Sequence, residues 1–182
     1  MPRIKLLTEK SDLPADQAAE HDAIVEVLHG VRGPFAILLR SPGLAEKVMS
    51  AGAQVRLGST LESKERELAI IAVAREKDGA YEWAAHVNVG RNAGLSEATI
   101  EAVRNRGEVA GLDADDRDIV LYVRQLLRTN RVEQGLFDEL RQRKGERWLV
   151  ELTATIGQYQ YISAINNAFE LEPAPDADQL PI

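Results

Sequence analysis

The segment Tyr81-Glu82-Trp83-Ala84-Ala85-His86 sets a carboxylate and an imidazole four residues apart. On a helix that spacing puts both side chains on one face, within reach of each other. Burial raises a carboxyl pKa and lowers an imidazole pKa, whereas mutual attraction does the reverse. The competition can leave a proton shared near neutral pH, which is what general acid–base catalysis needs. The same face continues through Ala85, Val89 and Ala93, with Gly90 at its margin, so there is room for a ligand or a neighbouring helix. Asn88 and Arg91 fall on the opposite side and are expected to meet solvent. The simpler reading of the pair is a satisfied helix-face ion pair, worth roughly 0.2–0.5 kcal/mol.

Glu67 is the third candidate. It shares a helix face with Ile70, Ile71 and Ala74. As an early-turn carboxylate it would favour the helix dipole and could pair with Arg66. Aimed instead at His86 from a neighbouring helix, it would hold the imidazole in one tautomer. Tyr81 beside Glu82 could line a pocket. His21, between Glu20 and Asp22, reads as solvated, and His29 before Gly30 as a helix-terminus residue. A metal held by Glu67, Glu82 and His86 is the sharper alternative, but one histidine with two carboxylates is a poor zinc set. The spacing also matches neither HExxH nor a duplicated Glu-x-x-His pattern, so no metal site is expected. Trp83, Tyr159 and Tyr161 read as core aromatics. Of Asn166 and Asn167, at least one should face solvent, and the other could satisfy a polar cavity.

These residues sit in a chain of 182 with 45% apolar content, 22 basic and 29 acidic side chains and a formal charge of −7. The length suits one domain spanning residues 1–182. The acidic balance argues against nucleic-acid or anionic-membrane partners. No cysteine is present, which removes disulfides, zinc–thiolate sites and thiol nucleophiles. The charged stretch from Met1 to Lys10 lacks a signal-type apolar core, and no apolar run reaches membrane-spanning length. A cytoplasmic location is the default expectation. Gly-rich phosphate loops and a nucleophile-elbow serine are both missing.

The elements that must position the candidates read as helices throughout. A stripe of Ala18, Ile24, Val25 and Leu28 ends at Gly30. A short apolar piece covers Phe35 to Leu39, and a helix runs from Pro42 to about Leu57, stopped by Gly58. Ser63 is the expected cap of the next helix, whose Leu68 to Ala74 run is apolar on all faces and therefore central. Lys77-Asp78-Gly79 breaks it. The Glu82/His86 helix follows to about Ala93, Gly94 suits a left-handed cap, and Ser96 caps a helix that turns Ile100 and Val103 inward. Further helices are marked by Asp113 to Leu127, by Leu136 to Leu140, and by Glu146 to about Phe169. The proline-bearing tail, 172–182, should be extended. Short connections and the lack of strand alternation indicate an all-α bundle.

Glu67-Leu68-Ala69-Ile70-Ile71, then Tyr81-Glu82-Trp83-x-x-His86, then Gly94-Leu95-Ser96 and Ile100 resemble the carboxymuconolactone decarboxylase and alkylhydroperoxidase D-like family. The motif core spans 61–103. The resemblance implies an all-α, alkylhydroperoxidase D-like bundle that assembles as a homo-oligomer (trimer, hexamer or dimer) with active sites near subunit interfaces. In the peroxidase branch a Cys-x-x-Cys pair precedes the histidine; by position those cysteines fall at Gly79 and Glu82, with the upstream glutamate at Glu67 and the histidine at His86. This chain keeps the relay and lacks both thiols, so thiol peroxidase chemistry is not expected. In the decarboxylase branch a glutamate four residues before the histidine matches Glu82 and His86. That branch removes CO2 from an unsaturated lactone acid in aromatic catabolism, without metal or organic cofactor. The expected function is a cofactor-independent lyase or isomerase acting on a small carboxylated or lactone substrate, with His86 as acid/base, Glu82 tuning it and Glu67 orienting it. The alternatives are a non-catalytic, ligand-binding member and a cysteine-independent oxidoreductase.

Overall fold

A computed structural model describes residues 2–181, without the side chain of Asp16. Met1 and Ile182, the ends of the charged N-terminal stretch and of the expected tail, lie outside the described residues. The described chain is all-helical: α1 (Ala18–Leu28), α2 (Phe35–Leu38), α3 (Pro42–Leu57), α4 (Ser63–Glu76), α5 (Ala80–Asn92), α6 (Glu97–Arg104), α7 (Ala114–Thr129), α8 (Gln134–Lys144) and α9 (Glu146–Ala168), preceded by two short 3-10 turns. No helix is long and apolar enough to cross a membrane.

α4 is the axis of the molecule. Leu68, Ala69, Ile70, Ile71, Val73 and Ala74 are fully buried, and the helix packs against α5, α7 and α9. Its apolar run on all faces has that consequence: a helix with no polar stripe must be covered on every side. A second, smaller apolar cluster joins Ile24 of α1, Leu38 of α2, Ala45, Val48 and Met49 of α3, and Ile162 of α9. α9 touches both clusters, and the candidate residues lie where the two meet.

Local chemistry explains the boundaries and corrects some expectations. Ser63 is not the cap of α4. That position belongs to Glu62, whose backbone N–H donates to Glu65 Oε2 at 2.9 Å, and Glu65 is itself fixed by the Trp148 Nε1–H at 2.9 Å. Asp78 ends α4 in the left-handed region (φ 47°), and the Gly79 N–H closes onto Ala74 O at 2.7 Å. With so short a connection α5 runs back along α4 as its antiparallel neighbour. Gly90 makes room for the α5–α6 connection: a Cβ there would stand 2.6 Å from Leu95 Cδ1, whereas Glu67 Cβ of α4, at 3.7 Å, would be in ordinary contact. Ser96 caps α6 by accepting from the Thr99 N–H at 3.0 Å, as expected.

The tail does more than extend. Asp178 accepts from Trp83 Nε1 (3.1 Å), Arg91 Nη1 (2.9 Å) and Arg104 Nη2 (3.1 Å), and Leu180 is buried in the larger core. Arg91 is therefore tied to Asp178 and Glu97 rather than free in solvent; Asn88 is exposed. His21 is half-buried, with Nδ1 3.4 Å from Asp22 Oδ1, because the N-terminal turns fold over α1. Tyr161 is 36% exposed rather than core, since it lies on the outer side of α9.

Candidate functional site

His86 is held between two carboxylates from different helices. Its Nδ1 lies 2.7 Å from Glu67 Oε2 of α4, and its Nε2 lies 3.5 Å from Glu82 Oε2, one turn earlier on α5. All three side chains are largely shielded. Glu67 resolves the two readings of its sequence position by doing both: it meets His86 and also receives Arg66 Nε at 3.4 Å. A short contact to an ionised Glu67 fixes the Nδ1–H tautomer and leaves Nε2 turned toward Glu82.

The two carboxyls have opposite electrostatics. Burial pushes Glu67 upward, but the hydrogen bond and charge of His86, with Arg66 and Arg56 behind them, outweigh it and hold Glu67 below the ordinary carboxylate value. Glu82 is buried more deeply, and burial wins: its carboxyl is raised, despite His86 and a hydrogen bond from Asn166. That bond, Asn166 Nδ2–H to Glu82 Oε1, is 2.7 Å long. One carboxylate thus stays charged against the imidazole, while the other holds a proton more readily. A pair whose environments drive their pKa values apart can divide acid and base roles.

These groups open into a cavity of about 590 Å³ lined by residues of the α1–α2 connection, α3, α4, α5 and α9. Glu67, Tyr81, Glu82, Ala85, His86 and Val89 all reach it. Tyr159 closes one wall, its ring edge-on to His86 at 5.1 Å and 86°, and burial raises its phenol pKa. Tyr81 lies against the α1–α2 connection. Gly33 sits there at φ 59°, and a Cβ on it would come within 2.9 Å of the Tyr81 hydroxyl. Glycine is needed for both the backbone conformation and the space. A second, more open groove of about 680 Å³ adjoins the first through Val27, Met49, Ala53 and Leu57, and neither Glu67, Glu82 nor His86 lines it.

All four sequence-predicted residues, Glu67, Tyr81, Glu82 and His86, therefore meet at one cavity. His21 is not among its lining residues, whereas His29 is. Among the described residues no group of three or more histidine, cysteine or acidic side chains could hold a metal ion; both ring nitrogens of His86 face carboxylates. Asn167 is exposed and donates to Lys77 O, whereas Asn166 is fully buried against Glu82. Tyr159, by sequence only a core aromatic, stands seven residues before Asn166 on one face of α9, and that spacing is the signal that links them. Arg32 and Arg56 also line the cavity and carry no local sequence signature.

Residues 42–124, the segment that holds Glu67, Glu82 and His86, match the model of the Carboxymuconolactone decarboxylase family. No curated protein matches the sequence. Among solved structures, an uncharacterized peroxidase-related protein from Silicibacter sp. TM1040 superposes with a TM-score of 0.76 at 19% identity, covering 99% of this chain and 96% of its own. An alkylhydroperoxidase AhpD core, an uncharacterized peroxidase-related protein from Ralstonia eutropha JMP134, gives a TM-score of 0.77 at 16% identity over 96% and 93% of the two chains. A protein of unknown function from Agrobacterium tumefaciens gives 0.69 at 20% identity over 80% of this chain and 100% of its own. The fold is the alkylhydroperoxidase D-like one. At Gly79, even a methyl would approach Ser163 Oγ to 2.9 Å.

Proposed function

We propose that this protein is a lyase of the carboxymuconolactone decarboxylase type, using His86 for acid–base chemistry on a small carboxylated or lactone substrate. The carrying observation is the Glu67–His86–Glu82 row, with one carboxyl held charged and the other raised, at the wall of a ligand-sized cavity. In the proposed step the C–C bond to the departing carboxylate breaks. CO2 leaves, and the electron pair stays on carbon as an enolate. Protonated Glu82 passes its proton to Nε2, the Nε2–H of the resulting imidazolium is delivered to that carbon, and the Glu82 carboxylate regains a proton from water. Glu67 keeps Nδ1–H oriented and balances the imidazolium charge in between. The names of the structural neighbours point to peroxide chemistry, but a chain without cysteine has no thiol of its own to oxidise.

Homo-oligomerisation belongs to the same proposal. Leu57 is 83% exposed and Val89 46% exposed at the cavity, and apolar side chains in such positions favour cover by another subunit. Light scattering that returns a monomer at micromolar concentration would remove it. For the activity, His86→Gln should lower turnover of carboxymuconolactone-type substrates by ~10²–10⁴-fold with helicity unchanged. Full turnover in the variant would remove His86 from the mechanism; no turnover in the native protein would remove the substrate.

A further inference from the structure

Arginine usage in this fold has an exception. Among the described residues, every arginine other than Arg56 donates to a carboxylate, a hydroxyl or a backbone carbonyl: Arg66 to Glu67 and Ser63, Arg91 to Asp178, Arg124 to Gly107 O, Arg128 to Glu76. Arg32, at the cavity, spends one Nη on Leu28 O at 3.3 Å. Arg56, in the last turn of α3, has no hydrogen bond or ion pair among the described residues, is exposed, and lines the same cavity as His86. We propose that Arg56, assisted by Arg32, is the carboxylate-recognition element of this cavity and selects an organic dianion. The proposal rests on the decarboxylase reading and deepens it.

The cavity carboxylates are already engaged, Glu67 by His86 and Arg66 and Glu82 by Asn166, so the Arg56 fork is left for a ligand. A guanidinium presents parallel N–H donors that match a carboxylate in two-point geometry, which an ammonium cannot do. The whole protein carries −7, so an anion approaches against the long-range field and needs a local cation to hold it. Arg56 supplies one close enough to favour the charged forms of both Glu67 and Glu82, although burial still leaves Glu82 raised; Arg32 acts at the other end, on Tyr81.

Loss of CO2 by itself needs only the departing carboxylate, and Arg56 is unsuited to hold that one. An arginine bound to the departing group would stabilise the ground state and oppose loss of CO2. The group on Arg56 is therefore the one retained. The departing carboxylate belongs on the apolar part of the wall, beside Phe35, Ala85 and Ile162, where desolvation favours dispersal of its charge into neutral CO2. A substrate with a single carboxylate would have to choose between the two places.

Calorimetric titration of the full chain with adipate, hexanoate and adipamide tests this without turnover. Adipate should bind more tightly than hexanoate, and adipamide more weakly than either. Arg56→Gln should weaken adipate by about tenfold or more, the range of a lost charge-assisted hydrogen bond. Arg56→Lys should recover only part, Arg32→Gln should lose less, and Arg131→Gln, away from the cavity, should change nothing. Because Arg56 supports no other contact, the variant should keep its circular dichroism and melting temperature. Equal binding of adipate and adipamide, no binding of adipate, or Arg56→Gln behaving as wild type would each overturn the inference. Arg56-dependent adipate binding without lyase activity would leave the inference standing and sink the decarboxylase reading. Turnover with an unchanged KM in Arg56→Gln would do the opposite.

Discussion

On one side of α5, Asp178 accepts from Trp83, Arg91 and Arg104, and Arg104 also lies over the Trp83 ring at 4.9 Å. On the other, Glu82 accepts a single hydrogen bond from Asn166 and stands 3.5 Å from His86. Asn166 Oδ1 and the neighbouring Ser163 Oγ are buried without a partner among the described residues. The ingredients are alike: a carboxylate, cationic or imidazole nitrogens, and an aromatic ring. Saturation differs. The Asp178 cluster, led by its bond from Arg104, drives that carboxyl far down, which favours its charged form. The Glu82 cluster leaves its carboxyl raised. One helix thus has a locked side that holds it in place and an open side that can do chemistry.

The two sides of α5 should respond to substitution in opposite ways. Replacing His86 should cost orders of magnitude in turnover and little stability, whereas Asp178→Asn should do the reverse. Its expected cost is ~1–2 kcal/mol, because Asp178 is only partly shielded and its ion pairs are screened, with activity within about twofold; urea unfolding and a rate assay read both. A large activity loss in Asp178→Asn would show that the two sides are coupled through Trp83.

The pH dependence of stability should have opposite signs on the two sides. Asp178 is lowered from 3.8, so its contribution is fully present above that pH and is lost on acidification. The deficit of Asp178→Asn should therefore shrink as pH falls below about 4. Glu82 is raised from 4.5, so its native state binds the extra proton and its contribution fades as pH rises from there through the folded value. Glu82→Gln should gain on wild type as pH rises, measured by denaturation at a series of pH values. Parallel curves would remove the distinction. The smallest effect is expected from Gly90→Ala: Leu95 Cδ1, a flexible end, must move from 2.6 Å. About 1 kcal/mol of melting stability should go, with the Glu67–His86 contact loosened enough to show as a modest rate loss.

How much of this was legible beforehand follows the range of each interaction. The Glu82/His86 pairing is local, set by helix periodicity, and the α4 axis follows from an apolar run too uniform to face water. The turn at Lys77-Asp78-Gly79 brings Glu67 alongside α5, so that partner was half-visible once two antiparallel helices were assumed. Ser63 misled because Glu62, a less common cap, gains from Glu65. Asp178 could not be found, since its partners lie 74 to 95 residues away and a proline-bearing tail looks the same docked or free.

The sequence alone determined that the fold is helical, that α4 is buried, that no thiol chemistry belongs to this chain, and that Glu82 and His86 share a face. Those properties depend on composition and on periods of a few residues. Tertiary structure decided which carboxyl is charged. Glu67 and Glu82 are the same residue type, and only burial depth and the partners brought by α5 and α9 push one down and the other up. It also decided that Arg56, ordinary in its own helix, lines the same cavity as His86 without a partner among the described residues, because whether a side chain is already partnered depends on every other element packed around it.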